Sequence, residues 1–465
     1  MDILSLNQVL MGIHGELLGT ADMETKVQAV CTDSRNVEEN SIFIPLVGEN
    51  FDGHNYIDMA LKAGAVGCVT AHEIAEENRI PGKFYIRVED TMKALGELAA
   101  YYRSCFHIPV IAVTGSVGKT TTKDMVAAVL GQKYNVLKTD GNFNNNIGLP
   151  MTIFRMNHTH EIAVLEMGMN HEGEIDYLTN IAHPDVALIT NIGDAHIENM
   201  GSRENTLKAK AEIFHGMTAE GQAVLNGDDP LLRTLSGKIE QKITWCGTGE
   251  NCTWRVTDLA EHWQDHVECE MHAPDSTWMQ EIPGLGGHMV YPASMAAAVG
   301  RMYGVSDELI RRGILEFEPT KMRMAILHRK DDITILNDTY NANPQSMRAA
   351  IEILSKQECK RRIAVLGDMM ELGELGPGLH ASVGRFLANV GIDCLITVGN
   401  LGACIADGAE ESDVEIHRCA NQAEAQIVLA KAVTPGSTIL VKASRGMKFE
   451  HLVDYLAEIT AENEA

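Results

Sequence analysis

The densest chemical signal in the sequence is Val110-Ile-Ala-Val-Thr-Gly-Ser-Val-Gly-Lys-Thr-Thr-Thr-Lys123. A β-branched run passes through glycines into a helical pattern carrying Met125, Val129 and Leu130. Gly115 and Gly118 let the backbone N–H groups of the turn, through Ser116, Val117 and Thr121, converge on phosphate oxygens without Cβ interference. Lys119 adds a point positive charge, Thr120 a hydroxyl suited to Mg²⁺, and the helix start its partial positive charge. The general phosphate-loop pattern puts its first glycine five positions before Gly118, where this chain has Val113. An ordinary glycine turn after a strand accounts for the glycines, but not for Gly-Lys-Thr in register with a helix start.

Two further apolar runs end in residues of metal-binding type. Ile162-Ala-Val-Leu-Glu-Met-Gly168 sets Glu166 at a strand terminus, and Asn191, Asp194 and His196 follow Val186-Ala-Leu-Ile-Thr190. Singly, these are solvated loop carboxylates or a turn-capping histidine; beside a phosphate loop they become candidate Mg²⁺ ligands or their supports. On the helix running through Thr206–His215, Lys210 falls three residues after Leu207 and four before Phe214, on the apolar face, whereas Lys208 points elsewhere. Either Lys210 snorkels, or it is held at the site as a charge or a modification target. The cluster Asn142, Asn144, Asn145 and Asn146 is either a set of turn formers or a polar cradle for ligand.

Positioning these residues requires strands whose carboxyl ends share one edge. The chain alternates short β-branched runs with helical patterns, the signature of parallel α/β architecture. The first unit, residues 1–84, holds a strand through Ser41–Val47 and a helix through Tyr56–Ala63, and closes near Pro81-Gly82. The second, 85–315, starts with a helix from Thr91 to Arg103 and the strand Val110–Thr114. It includes a tryptophan-bearing, alternating stretch over 240–282 that reads as antiparallel strands at a sheet edge. After Gly284-Leu-Gly-Gly287 comes an alanine-rich helix, Ala293–Met302. The third unit, 316–465, alternates strands Ile333–Asn337, Ile363–Gly367, Cys394–Val398 and Thr438–Lys442 with helices, among them Ser346–Leu354. The expected fold is α/β in three domains: a small α/β N-terminal domain, a central P-loop ATPase-type domain with a mostly parallel sheet, and a C-terminal Rossmann-like α/β domain.

Composition excludes other classes. Of 465 residues, 38 are basic and 64 acidic, a net charge of −26 that repels nucleic acid and anionic membrane surfaces. Apolar runs fall short of the roughly 18 residues of a membrane span, and the N-terminus lacks a signal-peptide pattern. The ten cysteines include no C-x-x-C pair, which fits reduced thiols in the cytoplasm. Anionic ligands must therefore be held by local devices working against the global field.

Motifs through nearly the whole chain resemble the Mur ligases, ATP-dependent amide-forming enzymes of peptidoglycan precursor synthesis. They are Thr32-Asp-Ser-Arg35 and Gly48-Glu-Asn-Phe-Asp-Gly-His54; TGSVGKTTTK, GNFNNNIGLPMT, EMGMNHEGEI, TNIGDAH and KAKAEIF; and NDTYNANPQSM, LGDMMELG and VKASRGMKFE. The chain is most similar to the branch that couples D-alanyl-D-alanine to UDP-N-acetylmuramoyl-tripeptide. A branch adding a single diamino acid would show Asp-Asn-Pro-Arg where this chain has Asn341-Ala-Asn-Pro344.

The resemblance implies roles residue by residue. Gly115, Ser116, Val117, Gly118, Lys119, Thr120 and Thr121 would hold ATP, with Lys119, His196 and Lys210 as catalytic groups. Thr120, Glu166 and His196 would form the Mg²⁺ set, joined by Lys210 as a CO₂-derived carbamate. Arg323, Asp338, Tyr340 and Asn341 would close over ATP from the third domain. Asn144 and Asn145 would lie near the nucleotide-sugar peptide, Ser34 and Arg35 at its uridine-diphosphate end, and Lys442, Ser444 and Arg445 at the dipeptide. A cytoplasmic monomer is expected.

The chain departs from the family pattern at His288-Met-Val-Tyr-Pro292, where an H-N-x-x-N run supplies asparagines, the second near adenine, and at Met322, where many members have glycine. Either other groups hold the adenine, or nucleotide or substrate use has diverged. Two alternatives are an amide synthetase for another amino acid or dipeptide and a non-catalytic nucleotide-binding regulator.

Overall fold

The computed structural model describes residues 1–48, 50–194 and 197–461. His196 therefore lies outside the described residues. Among the described residues three larger sheets carry the chain, in the order expected from the alternating pattern, beside two two-stranded pairs in the first domain.

The first sheet runs Glu16–Leu17, Phe84–Arg87, Gly67–Thr70, Ser41–Phe43, Ala29–Cys31. Its strand Phe84–Arg87 pairs in parallel with Gly67–Thr70. The sheet therefore crosses the boundary expected at residue 84, because the Pro81-Gly82 turn lies inside the domain rather than at its end. The helix Thr91–Ser104 follows, capped by the Asp90 carboxylate, which accepts from the amides of Met92 and Lys93.

The central sheet has nine strands: Val136–Lys138, Ile162–Glu166, Val110–Thr114, Val186–Ile189, Gln222–Asn226, Lys242–Gly247, Trp254–His262, His266–His272, Thr277–Pro283. The first seven are parallel and the last two pairings antiparallel, so the antiparallel excursion expected over 240–282 begins only with the strand Trp254–His262, and Lys242–Gly247 instead continues the parallel sheet. The buried parallel strands read as continuous apolar runs because helices cover both faces. Strand order reverses at Val110–Thr114: the next two strands lie to one side, Val186–Ile189 to the other. In such sheets the ligand crevice opens at the carboxyl ends beside that reversal. Register aligns those ends, with Val113 opposite Glu166 and Thr114 opposite Ile189.

The third sheet runs Ala325–Arg329, Ile333–Asn337, Ser437–Lys442, Arg361–Gly367, Cys394–Val398, Glu415–Cys419, antiparallel only at its first pair. Its helix spans Pro344–Ser355, two residues earlier than the apolar stripe suggests. Asn343 and Ser346 form a reciprocal cap there, with Pro344 at the first helical position. Ile197 and Leu285 of the central domain are buried in the same apolar cluster as Met347, Ile351 and Ile353 of the third, so the two domains are closed on each other.

Candidate active site

The strand Val110–Thr114 delivers the chain into the turn 115–118, and the helix Lys119–Leu130 leaves it. Two glycines are required. Gly115 has φ +149°, and a Cβ there would meet Thr190 Oγ1 at 1.9 Å; Gly118 has φ +82° and sits at the helix start. The turn is braced from the neighbouring strand end. Val117 N donates to Asn191 Oδ1 (3.0 Å), while Asn191 Nδ2 and Thr190 Oγ1 donate to Val117 O at 2.9 and 2.6 Å. Both atoms of the Asn191 amide are thereby committed to the loop, so this residue is a brace. Ser116 Oγ accepts from Gly193 N at 2.8 Å.

Lys119 Nζ donates back to Gly115 O at 2.8 Å, across the mouth of the turn. Burial pushes its pKa below the usual lysine range, the Glu166 carboxylate opposes that, and the Arg323 guanidinium reinforces it. Glu166, 1% exposed, accepts from Asn144 Nδ2 at 2.8 Å through Oε1. Among the described residues, its Oε2 and the Thr120 hydroxyl are buried without a hydrogen-bond partner. Two orphaned oxygens of these types, one in the first turn of the helix Lys119–Leu130 and one at the end of the strand Ile162–Glu166, fit a hard divalent cation.

Lys210 lies on the helix Arg203–Ala211 and is 2% exposed. Its head does not reach bulk water, which removes the snorkelling reading. Lys208, one position off the buried face, is exposed and pairs with Glu172 at 2.5 Å. Burial, and next the Lys119 ammonium, hold the Lys210 pKa well below the usual lysine range. Both effects favour the uncharged amine, the nucleophilic form of the side chain.

The third domain closes the opposite wall. Arg323 stacks on the Tyr340 ring with its guanidinium carbon 3.9 Å from the centroid. Lys442, 2% exposed, pairs with Asp338 Oδ2 at 2.5 Å and donates to Asn341 O at 2.8 Å. Asp338 Oδ1 accepts from Met324 N at 3.1 Å, which fixes the carboxylate in place. Met322, the residue standing where glycine is common, takes φ +63°, the left-handed region that glycine occupies without strain.

One cleft of about 790 Å³ gathers Ser116, Val117, Gly118, Lys119, Thr121, Asn144, Asn145, Glu166, Arg323, Asp338, Tyr340, Asn341, Lys442 and Arg445. Gly115, Thr120 and Lys210 stand behind its lining. Asn145 Oδ1 accepts from Ile147 N and Gly148 N at 3.2 and 2.8 Å, so the asparagine cluster both caps the next helix and faces the cleft. Ser444 and Arg445 line a smaller pocket of about 120 Å³ that shares Asn341 with the cleft. Ser444 Oγ accepts from Met370 N at 2.8 Å there, and Arg445 Nη1 pairs with Glu450 at 2.8 Å. Ser34 and Arg35 line neither. They lie on a loop of the first domain where the Arg35 side chain, 82% exposed, forks onto Asp33 at 2.7 Å.

The structure also recruits residues that motif reading passed over. Asp228 follows the strand Gln222–Asn226, and its carboxylate accepts from Thr248 N, Gly249 N and the Tyr291 hydroxyl at 2.7, 2.9 and 3.1 Å. Burial, then the adjacent Asp228 carboxylate, push the Tyr291 pKa up to about 12. Tyr291, Met289, Pro292 and Asp228 line the cleft where the missing asparagines would stand. The signal was available: Asn226-Gly-Asp-Asp229 ends a parallel strand at the same edge as Glu166.

Family models match three segments: the Mur ligase family catalytic domain over 26–103, the Mur ligase middle domain over 113–300, and the Mur ligase glutamate ligase domain over 322–445. The UDP-N-acetylmuramoyl-tripeptide–D-alanyl-D-alanine ligase of Bacillus subtilis is 40% identical over 450 residues, 96% of each chain. That of Escherichia coli is 33% identical, covering 98% of each. Among solved structures, MurF from Acinetobacter baumannii superposes with a TM-score of 0.91 at 32% identity over 98% of this chain and 99% of that one. MurF from Thermotoga maritima in complex with ADP gives 0.83 at 29% identity, covering 93% and 97%.

Proposed function

The chain belongs to the Mur ligase family, and from that premise we propose that it joins D-alanyl-D-alanine to UDP-N-acetylmuramoyl-tripeptide at the expense of ATP, releasing ADP and phosphate. Nearly full-length relatives of that name support the substrates. The observation that carries the chemistry is the pair of buried, unpartnered oxygens, Thr120 Oγ1 and Glu166 Oε2, behind the phosphate turn.

The turn amides and Lys119 bind the β- and γ-phosphates. Arg323 and Asp338 close from the other wall, Arg323 over the phosphates and Asp338 toward the ribose. The face of Tyr291, with Met289 and Pro292, takes the base end in place of side-chain amides. Bound Mg²⁺ neutralises phosphate charge, and Thr120 and Glu166 would hold it, with His196 as a further ligand carried over from the family resemblance.

The terminal carboxylate of the tripeptide attacks Pγ, the bond to ADP breaks, and an acyl phosphate results. The free amine of the dipeptide attacks the acyl carbon, phosphate leaves as the tetrahedral intermediate collapses, and the amine proton is lost to solvent. Lys119 stabilises charge on the transferring phosphoryl group. Closure of the third domain over the cleft keeps water from the acyl phosphate. Asn144 and Asn145 orient the tripeptide. Ser444 and Arg445 take the dipeptide carboxylate in the smaller pocket, with Lys442 at the cleft side, and Ser34 and Arg35 the uridine-diphosphate end.

Lys210 supplies a neutral amine that adds CO₂ and releases one proton, giving a carbamate anion as a further cation ligand. No helix among the described residues is long and apolar enough to cross a membrane, and all ten cysteines are unpaired, in keeping with a cytoplasmic enzyme.

The test is phosphate release across a matrix of acceptors. UDP-N-acetylmuramoyl-tripeptide with D-Ala-D-Ala should turn over, and single amino acids should not. Nucleotide binding with no turnover for any pair would instead support a regulator.

A further inference from the structure

At the antiparallel edge of the central sheet, the strands Trp254–His262 and His266–His272 form a hairpin in which His262 stands directly opposite His266. Side chains two apart on a strand share a face, so Glu268 joins the two imidazoles. One ligand atom from each of His262, His266 and Glu268 lies within 4.8 Å of the others. The rings stack at 4.3 Å with 15° between planes. His262 Nε2 faces Glu268 Oε2 at 3.2 Å. His266 Nδ1 is held by Asp265 Oδ1 at 2.6 Å. The Asp265 carboxylate on Nδ1 of His266 fixes that ring's tautomer and leaves its Nε2 as a lone-pair donor, the arrangement that supports metal-bound histidines. The three side chains are partly exposed, so an ion can reach them from solvent.

We propose that His262, His266 and Glu268 form a binding site for a late first-row divalent cation such as Zn²⁺, with Asp265 orienting His266. Two imidazoles and one carboxylate leave a fourth position for water, a tetrahedral set for zinc. The site lies outside the cleft and uses no group assigned to the ligation reaction.

Its placement gives it a conformational consequence. Trp263, within the hairpin turn, packs against the apolar cluster shared by Leu285 of the central domain and Ile353 of the third. Gly284 N donates to Asp265 O at 2.8 Å, and Gly287 N donates to the Glu261 carboxylate. A cation tying the two strands together therefore stiffens the turn that bridges both domains and restrains the segment 284–289, which lines the cleft.

Titrating the full chain with Zn²⁺ alone, in chelator-treated buffer at pH 7.5, tests this. Equilibrium dialysis should show one more bound equivalent in the parent than in His262→Ala/His266→Ala. Asp265→Asn, which leaves the three ligands in place, should weaken that equivalent by about tenfold. Zn²⁺ should also shift the tryptophan emission of the parent, with the shift lost in Trp263→Phe although the equivalent still binds. Unchanged melting by circular dichroism excludes misfolding of the variants; a variant that melts early is replaced by Glu268→Gln, which should weaken binding in the same way. Equal stoichiometry and affinity in the parent and the histidine variant would overturn the proposal.

Discussion

Replacing Thr120 by valine separates a ligand from a packing residue, because the two roles predict opposite signs. The threonine is 2% exposed in the first turn of the helix Lys119–Leu130, and its hydroxyl has no partner among the described residues. Valine is nearly isosteric, and both residues are β-branched with similar helix propensity. The substitution thus removes a buried, unsatisfied polar group and changes little else, and such a group costs about 1–3 kcal/mol. A gain of 1 kcal/mol raises Tm by roughly 2–4 °C in a unit of 150–250 residues, so the ligand-free variant should melt about 2–12 °C higher. Loss of one oxygen that would hold the cation neutralising phosphate charge should at the same time lower kcat by on the order of 10²–10³. Differential scanning calorimetry without ligands, paired with coupled phosphate-release kinetics, reads both. The Tm increment that Mg²⁺ with ADP gives the parent should shrink in the variant. A variant that melts lower and retains kcat would show that the hydroxyl serves packing, and the cation assignment at this position would fall.

Four other perturbations probe independent parts of the site. Lys210→Met should stabilise the protein in CO₂-free buffer at pH 8. The lysine's folded pKa lies below its unfolded one, so the unfolded state binds the extra proton and stability falls as pH drops from about 10.4. The gain should vanish as pH rises to that value, and a pH-independent difference in chemical denaturation would refute it. Lys210→Ala should lose most turnover and regain part with a short added carboxylate; absence of both effects would leave Lys210 outside the chemistry. Arg323→Lys keeps the charge but loses the planar stack on Tyr340, so KM for ATP should rise about 3–30-fold from a loss of roughly 0.5–2 kcal/mol, and an unchanged KM would contradict closure over the nucleotide. Gly115→Ala drives a Cβ into Thr190 Oγ1 and should displace the turn by about an ångström, costing about 10²-fold in kcat/KM; wild-type rates would show that the turn position is not critical.

The parts of this molecule that sequence reveals are those whose physics is local. Val110–Thr114, Ile162–Glu166 and Cys394–Val398 have the bounds expected of them, because strands buried on both faces read as unbroken apolar runs between breakers. The phosphate turn was legible because glycine, lysine and threonine are adjacent in the chain. Boundaries set by capping were harder: Asn343 and Ser346 start a helix two residues before its apolar stripe. Pro81-Gly82 marks a turn inside a sheet, and pairing of Phe84–Arg87 with Gly67–Thr70 is a non-local fact. The least legible features are pairings between distant elements. Lys442 and Asp338 meet across 104 positions, and Tyr291 reaches Asp228 across 63. Spacing could nominate Lys210 for a buried face, but only the packed helix distinguishes a sealed lysine from a snorkelling one. Ser34 and Arg35 rest on the family resemblance, since neither lines the cleft.

Activation of a carboxylate by the γ-phosphoryl group is the central claim, and oxygen tracing tests it most directly. UDP-N-acetylmuramoyl-tripeptide carrying ¹⁸O in its terminal carboxylate is incubated with ATP, Mg²⁺ and D-Ala-D-Ala, and the products are weighed by mass spectrometry. An acyl phosphate transfers one carboxylate oxygen to inorganic phosphate for each amide formed. Label in AMP, or unlabelled phosphate accompanying amide formation, would contradict the mechanism.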